Sequence, residues 1–202
     1  MAFEYRRETL ETIARNELKK YDPTLISGEP RAIPIEDIVE RHYGLDVEYR
    51  YLRKNGIVLG CTVFDDALLP VYNVERKEYE LIREKSGTIV VDARLLETKS
   101  DGRLRFTLAH ELGHYLRHRE MYAEMGVAAA SAARTSLEID PVTERQADIL
   151  ATAFLMPAGQ VKRAFYAFRN ARTSGEPAAA LAELFGVSKQ AMSIFLREHS
   201  LT

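Results

Sequence analysis

The chain has 202 residues, enough for one sizeable core or for a core with a small appendage, and carries 28 Lys and Arg against 30 Asp and Glu. A net charge of −2 gives no global attraction to nucleic acid or membrane, and no apolar run approaches the length of a membrane span. A single cysteine excludes an internal disulfide, and the charged, helix-patterned opening MAFEYRRETLETIARNELKK is unlike a signal peptide, so a cytoplasmic protein with no membrane partner is expected.

In chain order, a helix is expected over about residues 4–20, then the loop YDPTLISGEP, then a second helix from near Pro34 to near Gly44. Strand-like runs follow, LDVEYRYL, IVLGCTVF, LLPVYNV and GTIVVDA, rich in Val, Ile, Leu and Tyr and separated by turn residues or charges. They make a small sheet, and an exposed edge of such a sheet could take an extended peptide as an added strand. Cys61 sits in the second run, where packing explains it better than chemistry does.

The next segment, FTLAHELGHYLRH, holds three of the five histidines. Its His-Glu-x-x-His pattern sets His110 and His114 four residues apart, slightly more than one helical turn, so both project from one face. That pair suits Zn²⁺, which takes neutral imidazole nitrogens in a roughly tetrahedral shell. Glu111 then stands beside the metal as a general base, placed to take a proton from an attacking water while the metal polarises a peptide carbonyl. Leu104, Leu108, Leu112 and Leu116 recur every four residues as an apolar stripe, so the helix can bury its leucines and still aim the histidines at a cleft.

A catalytic zinc site needs a third protein ligand. His118 lies eight residues past His110 and is assigned to capping or local packing. The metzincin pattern is excluded, because its Gly and His positions are Arg117 and Glu120 here. The small-residue segment from 121 to 139 is read as helix packing in preference to a mobile flap. After it, DPVTERQADILATAFLMP reads as a helix with Asp140 as N-cap, Pro141 in the first turn and Pro157 as stop. Glu144 and Asp148 share one face of it; Glu144 can ligate and Asp148 can accept the second ring N–H of a ligand histidine. Spacing alone leaves open that the two acids are a solvated face.

The tail segment AALAELFGVSKQAMSIFL has the outline of a helix-turn-helix, with Gly186 ending one helix and Ser188 capping the next. Lys189, Gln190 and Arg197 are its candidate nucleic-acid contacts, thin positive charge for phosphate. A packing module that supports the preceding residues is favoured over a DNA reader.

The two helical motifs, RFTLAHELGHYL and ERQADILATAFLMP, resemble the signatures of the ImmA/IrrE family of bacterial and phage zinc metallopeptidases. The family's usual Asn is Asp148 here, which brings the second helix closer to the Glu-x-x-x-Asp arrangement of gluzincin peptidases. The resemblance implies one Zn²⁺ per chain held by His110, His114 and Glu144, with Glu111 catalytic and Asp148 supporting a ligand histidine. It further implies limited cleavage of a regulatory protein, a helix-turn-helix repressor of a stress, phage or mobile-element system. The expected fold is α+β, a small twisted, mainly antiparallel sheet packed against the zinc-binding helices. Residues 1–157 form the peptidase-like domain and 158–202 a helical module. The alternative function is a non-catalytic, zinc-stabilised sensor or DNA-binding regulator.

Overall fold

The computed structural model describes residues 4–97, 101–124, 141–171 and 175–201. The Asp140 cap and most of the small-residue segment before it lie outside these residues.

Helix α1, Arg7–Tyr21, buries Leu10, Ala14 and Leu18, one face at intervals of four residues. The loop after it contains a short helix, α2, Thr24–Ser27, which sequence reading passed over because Pro23 and Gly28 bracket only four residues. Helix α3, Ile35–Asp37, runs into a single π-helical turn, Ile38–His42, in which Tyr43 N–H donates to the Ile38 carbonyl at 3.1 Å. Gly44 then reverses the chain with φ of 64°, a conformation that favours glycine.

Strand β1, Asp46–Arg50, pairs in parallel with β5, Thr88–Asp92, while β2, Gly60–Val63, pairs antiparallel on the other side of β5. The remaining strands, β3, Ala67–Asn73, and β4, Glu78–Glu84, form a separate antiparallel hairpin. The α+β class and mainly antiparallel pairing are as expected, but the strands divide into two sheets. Strand β4 had no sequence signal: Tyr79 and Leu81 are exposed, at 51% and 66%, and on the other side a half-buried Ile82 stands among Glu78, Glu80 and Glu84. Pro70 is tolerated within β3 because a two-stranded hairpin leaves each strand an edge.

Alternation along β2 and β5 splits the interior. Cys61, Val63 and Val90 join Leu52 and Leu69 in a small cluster, whereas Ile89 and Val91 face the main core. Short α4, Arg94–Glu97, leads to α5, Asp101–Arg117, which crosses β2 and β5 and packs along α7, Pro141–Leu155. Between them, α6 spans Arg119–Glu124. The other side of α7 rests on α1.

The last three helices are α8, Ala158–Asn170, α9, Pro177–Phe185, and α10, Lys189–Glu198. The last two are bent by 113° about a short turn in which Gly186 has φ of 63° and the Ser188 hydroxyl accepts from Ala191 N–H at 3.1 Å. Both signals were legible in sequence, and the angle falls in the range of a helix-turn-helix. No single described helix is long and apolar enough to cross a membrane.

The main apolar cluster includes Leu10 and Leu18 from the start of the chain and Val161, Phe165, Leu181, Phe185, Phe195 and Leu201 from its end. Leu184, by contrast, is 41% exposed. Two further contacts tie the last turn to α5. Gly102 lies so close to it that a Cβ would meet Ser188 N at 3.0 Å, and Arg105 donates to the Gly186 carbonyl at 3.0 Å and to the Ile33 carbonyl at 2.5 Å.

A chain ending at Pro157 therefore exposes the faces that Val161, Phe165, Leu181 and Phe195 now cover. Its melting temperature or solubility is expected to fall well below that of the full chain in a thermal scan. A truncated chain that matches the full one would show that the last three helices are dispensable for the core.

Candidate metal centre

Histidines 110 and 114 project from the middle of α5, where Leu108 and Leu112 anchor the opposite face at 1% and 0% exposure. Across the helix pair, α7 presents Glu144 from its first turn. What brings the two helices together is Gly113. A Cβ there would lie 3.2 Å from Ala147 Cα and 3.3 Å from Leu150 Cβ, so glycine permits an approach that any larger residue would oppose.

Three donor atoms converge at this contact. His110 Nε2 is 3.1 Å from His114 Nε2 and 3.6 Å from Glu144 Oε2, and His114 Nε2 is 3.3 Å from Glu144 Oε1. In a tetrahedral shell with bonds of about 2.0–2.1 Å, ligand atoms sit about 3.3 Å apart. The separations, two of them to different oxygens of Glu144, are of that order, and one atom from each of the three residues could hold a metal ion. His114 is fully buried and His110 nearly so, while Glu144 keeps 27% of its side chain exposed.

Each imidazole is engaged at its other nitrogen. His110 Nδ1 donates to Asp148 Oδ1 at 2.9 Å, the contact expected from the four-residue step between Glu144 and Asp148. Burial alone would lower the pKa of His110. The hydrogen bonds of Asp148 and Glu144, with the charge of Glu111 nearby, outweigh it and raise the pKa to about 9. The cluster is thus an environment that stabilises positive charge. His114 Nδ1 lies 3.0 Å from His118 Nδ1, and His118 Nε2 lies 3.1 Å from Gln146 Oε1. Burial first, and then neighbouring His114, push His118 down to about 4, so the ring is neutral.

Spacing assigns His118 to capping or local packing; in the structure its ring also lies against His114 and Gln146. Each four-residue step turns an α-helix by about 40°, so His118 stands only one such step beyond His114 and meets its outer edge. The signal was present in the repeat of histidines at 110, 114 and 118.

Glu111 is 1% exposed and lies against β2, with its Oε2 2.8 Å and its backbone carbonyl 2.9 Å from Thr62 Oγ1. The Thr62 hydroxyl can donate to this carboxylate. Gly60, two residues earlier on the same face of β2, makes room for it: a Cβ would fall 2.6 Å from Glu111 Oε1. Neither Gly60 nor Thr62 carried a sequence signal, because their roles come from a strand packing on α5.

Lys189, Gln190 and Arg197 are on α10 and take no part in the cluster. Lys189 pairs with Glu176 at 2.6 Å, and Gln190 lines a groove of about 1420 Å³. Phe106, Asp148 and Ile149 line the same groove, so it reaches the rim of the centre, and Ile194 and Glu198 of α10 face it.

Residues 72–197 match the model of the peptidase M78 family, described as the IrrE N-terminal-like domain. Among solved structures, a Mycobacterium tuberculosis transcriptional regulator resembles the chain with a TM-score of 0.49 and 13% sequence identity over 94% of its length. The chain spans 46% of that protein. No curated protein matches the chain.

Because Gly113 sets the distance between α5 and α7, Gly113→Leu is expected to lower stability by about 1–3 kcal/mol through overpacking. It should also weaken divalent-cation binding at least about 10-fold by moving Glu144 away from the histidines. Thermal unfolding and a chelator-competition titration check both. Gly159→Ala, within α8 and with nothing within 4 Å of its Cβ, is the control and should lower neither, with stability unchanged or raised by about 0.5–1 kcal/mol.

Proposed function

The chain belongs to the peptidase M78 family, and on that premise we propose that it is a zinc-dependent endopeptidase making limited cuts in a regulatory protein. The observation that carries this reading is the convergence of His110, His114 and Glu144, with the Glu111 carboxylate buried beside the two histidines. A His₂Glu donor set of nitrogen and oxygen suits Zn²⁺ and leaves a fourth position open. When bound, Zn²⁺ supplies Lewis acidity to a peptide carbonyl and makes a water more acidic.

The chain's own residues do the rest. Glu111 accepts the proton of the attacking water and can return it to the departing amine, since a carboxylate serves as base and then as acid. Thr62 fixes one of its oxygens. Asp148 keeps the Nδ1 proton on His110 and thereby presents the Nε2 lone pair to the cation. The groove beside Asp148 and Phe106 offers a peptide an approach, with an apolar floor that includes Ile149 and Met156. The family resemblance supports a helix-turn-helix repressor as the protein cut, and Zn²⁺ at one per chain.

A second reading, a non-catalytic zinc-stabilised regulator that uses its last two helices on DNA, draws on the 113° bend and the capped turn. Against it, Lys189 is already paired with an acid, and Gln190, Ile194 and Glu198 face the groove. A buried carboxylate beside the donor cluster also serves no purpose in a purely structural site. We therefore take residues 158–202 as a helical module that supports the peptidase.

Glu111→Gln keeps the side-chain volume and removes the base. It is expected to bind Zn²⁺ as the parent does and to lose cleavage of a neighbouring repressor by at least about 100-fold, read by gel and by metal analysis. Cleavage at the parent's rate would sink the mechanism. Glu144→Ala should abolish stoichiometric Zn²⁺ binding, since two imidazoles remain.

Asp148→Ala should weaken Zn²⁺ binding by roughly 10–100-fold without abolishing it, because His110 loses an orienting partner and keeps its lone pair. Competition with a chelator distinguishes this from the Glu144 variant. Unchanged affinity would make Asp148 an ordinary surface acid.

A further inference from the structure

The two histidines of the centre are held in different ways. His110 leans on a charged acid, Asp148, whose side chain is 59% exposed, whereas the partner of His114 is a second histidine, His118, 2% exposed and itself joined to buried Gln146. We infer that His118 and Gln146 form a neutral positioning pair that fixes the tautomer of His114 and so directs its Nε2 lone pair to the cation. This rests on the metal reading given above and extends it to two residues outside the donor set.

The polarity follows from the atoms. An amide oxygen accepts only, so Gln146 Oε1 requires the proton of His118 to be on Nε2. A ring only 2% exposed, set between an imidazole and an amide, is disfavoured as a cation and carries one proton, so His118 Nδ1 is then an acceptor. The 3.0 Å contact with His114 Nδ1 demands a proton between them, and it must come from His114. His114 Nε2 is left with a lone pair, 3.3 Å from Glu144 and 3.1 Å from His110. Reversal of the chain of donors would place a proton on His114 Nε2 and remove it from the ligand set. Only one direction of the chain is compatible with ligation, and it is the direction in which Gln146 presents its oxygen.

Burial explains why a neutral pair does this work. His114, His118 and Gln146 are 0%, 2% and 3% exposed, and a carboxylate in place of His118 would bring an additional charge out of water. At the rim, by contrast, Asp148 keeps more than half of its side chain in water.

The test uses the full chain. In metal-free protein labelled with ¹⁵N at histidine, long-range ¹H–¹⁵N spectra should show the His114 proton on Nδ1 and the His118 proton on Nε2; the opposite tautomer at either ring would overturn the inference. Zn²⁺ competition then measures the consequence. His118→Phe, which keeps a ring and removes the acceptor, should lower Zn²⁺ affinity by roughly 10–100-fold. His118→Asn, whose Oδ1 can stand where Nδ1 stood, should recover most of that loss. Unchanged affinity in the Phe variant, or a loss that Asn does not recover, would show that His118 only fills space. If the parent chain itself fails to take up Zn²⁺ while the tautomers are as stated, the metal reading fails and the hydrogen-bonded pair stands.

Discussion

At Gly113 the backbone of α5 comes against Ala147 on α7, and every distance in the candidate centre depends on that approach. The imidazoles come from one helix and the carboxylate from the other, so the separation of the helix axes sets whether three donor atoms can share a cation. A Cβ at residue 113 would lie 3.2 Å from Ala147 Cα and 3.3 Å from Leu150 Cβ, so the helices would have to give way, and a larger side chain would part them further. The leucines on the far side of α5 and the contact of α7 with α1 press the pair together. The site is thus made by ordinary core packing, with one missing Cβ as its condition.

Much of this was readable in the sequence, and the reason differs by residue. His110, Glu111 and His114 were legible because a single helix fixes their relation locally, and helical period is the strongest pattern a sequence carries. Glu144 and Asp148 were legible only as a pair on one face; that the face meets α5 is a tertiary fact, and the resemblance to a family supplied what spacing left open. Thr62 and Gly60 were not legible, since a strand some fifty residues earlier in the chain reaches Glu111 only through the fold. Strand β4 was hidden for a simpler reason. It buries almost nothing, and sequence pattern reports burial more than it reports hydrogen bonding.

The last helices also bear on the site. Arg105 lies one helical turn and a half before His110, and its guanidinium bonds the carbonyls of Gly186 and Ile33 and the carboxylate of Glu36 at 3.2 Å. It joins the turn of the last two helices, the segment before α3 and the helix that carries both histidines. The side chain is only 12% exposed, so these bonds are protected from solvent competition. The turn of a segment with the outline of a DNA-reading motif is thus hydrogen-bonded to α5, the helix that carries both histidines.

The close seating of α5 on α7 has a consequence for how the protein would live with its metal. The donor atoms are gathered when the core forms, so the entropy of assembling them is lost in folding and not at metal capture. In a zinc finger the ion and the fold appear together, and a chelator unfolds the chain. A cation held by these three residues would here add a mass-action increment that grows only with the logarithm of its free concentration. Occupancy of such a site would then follow the metal supply while the core keeps the chain folded, which would separate how much protein a cell holds from how much of it is loaded.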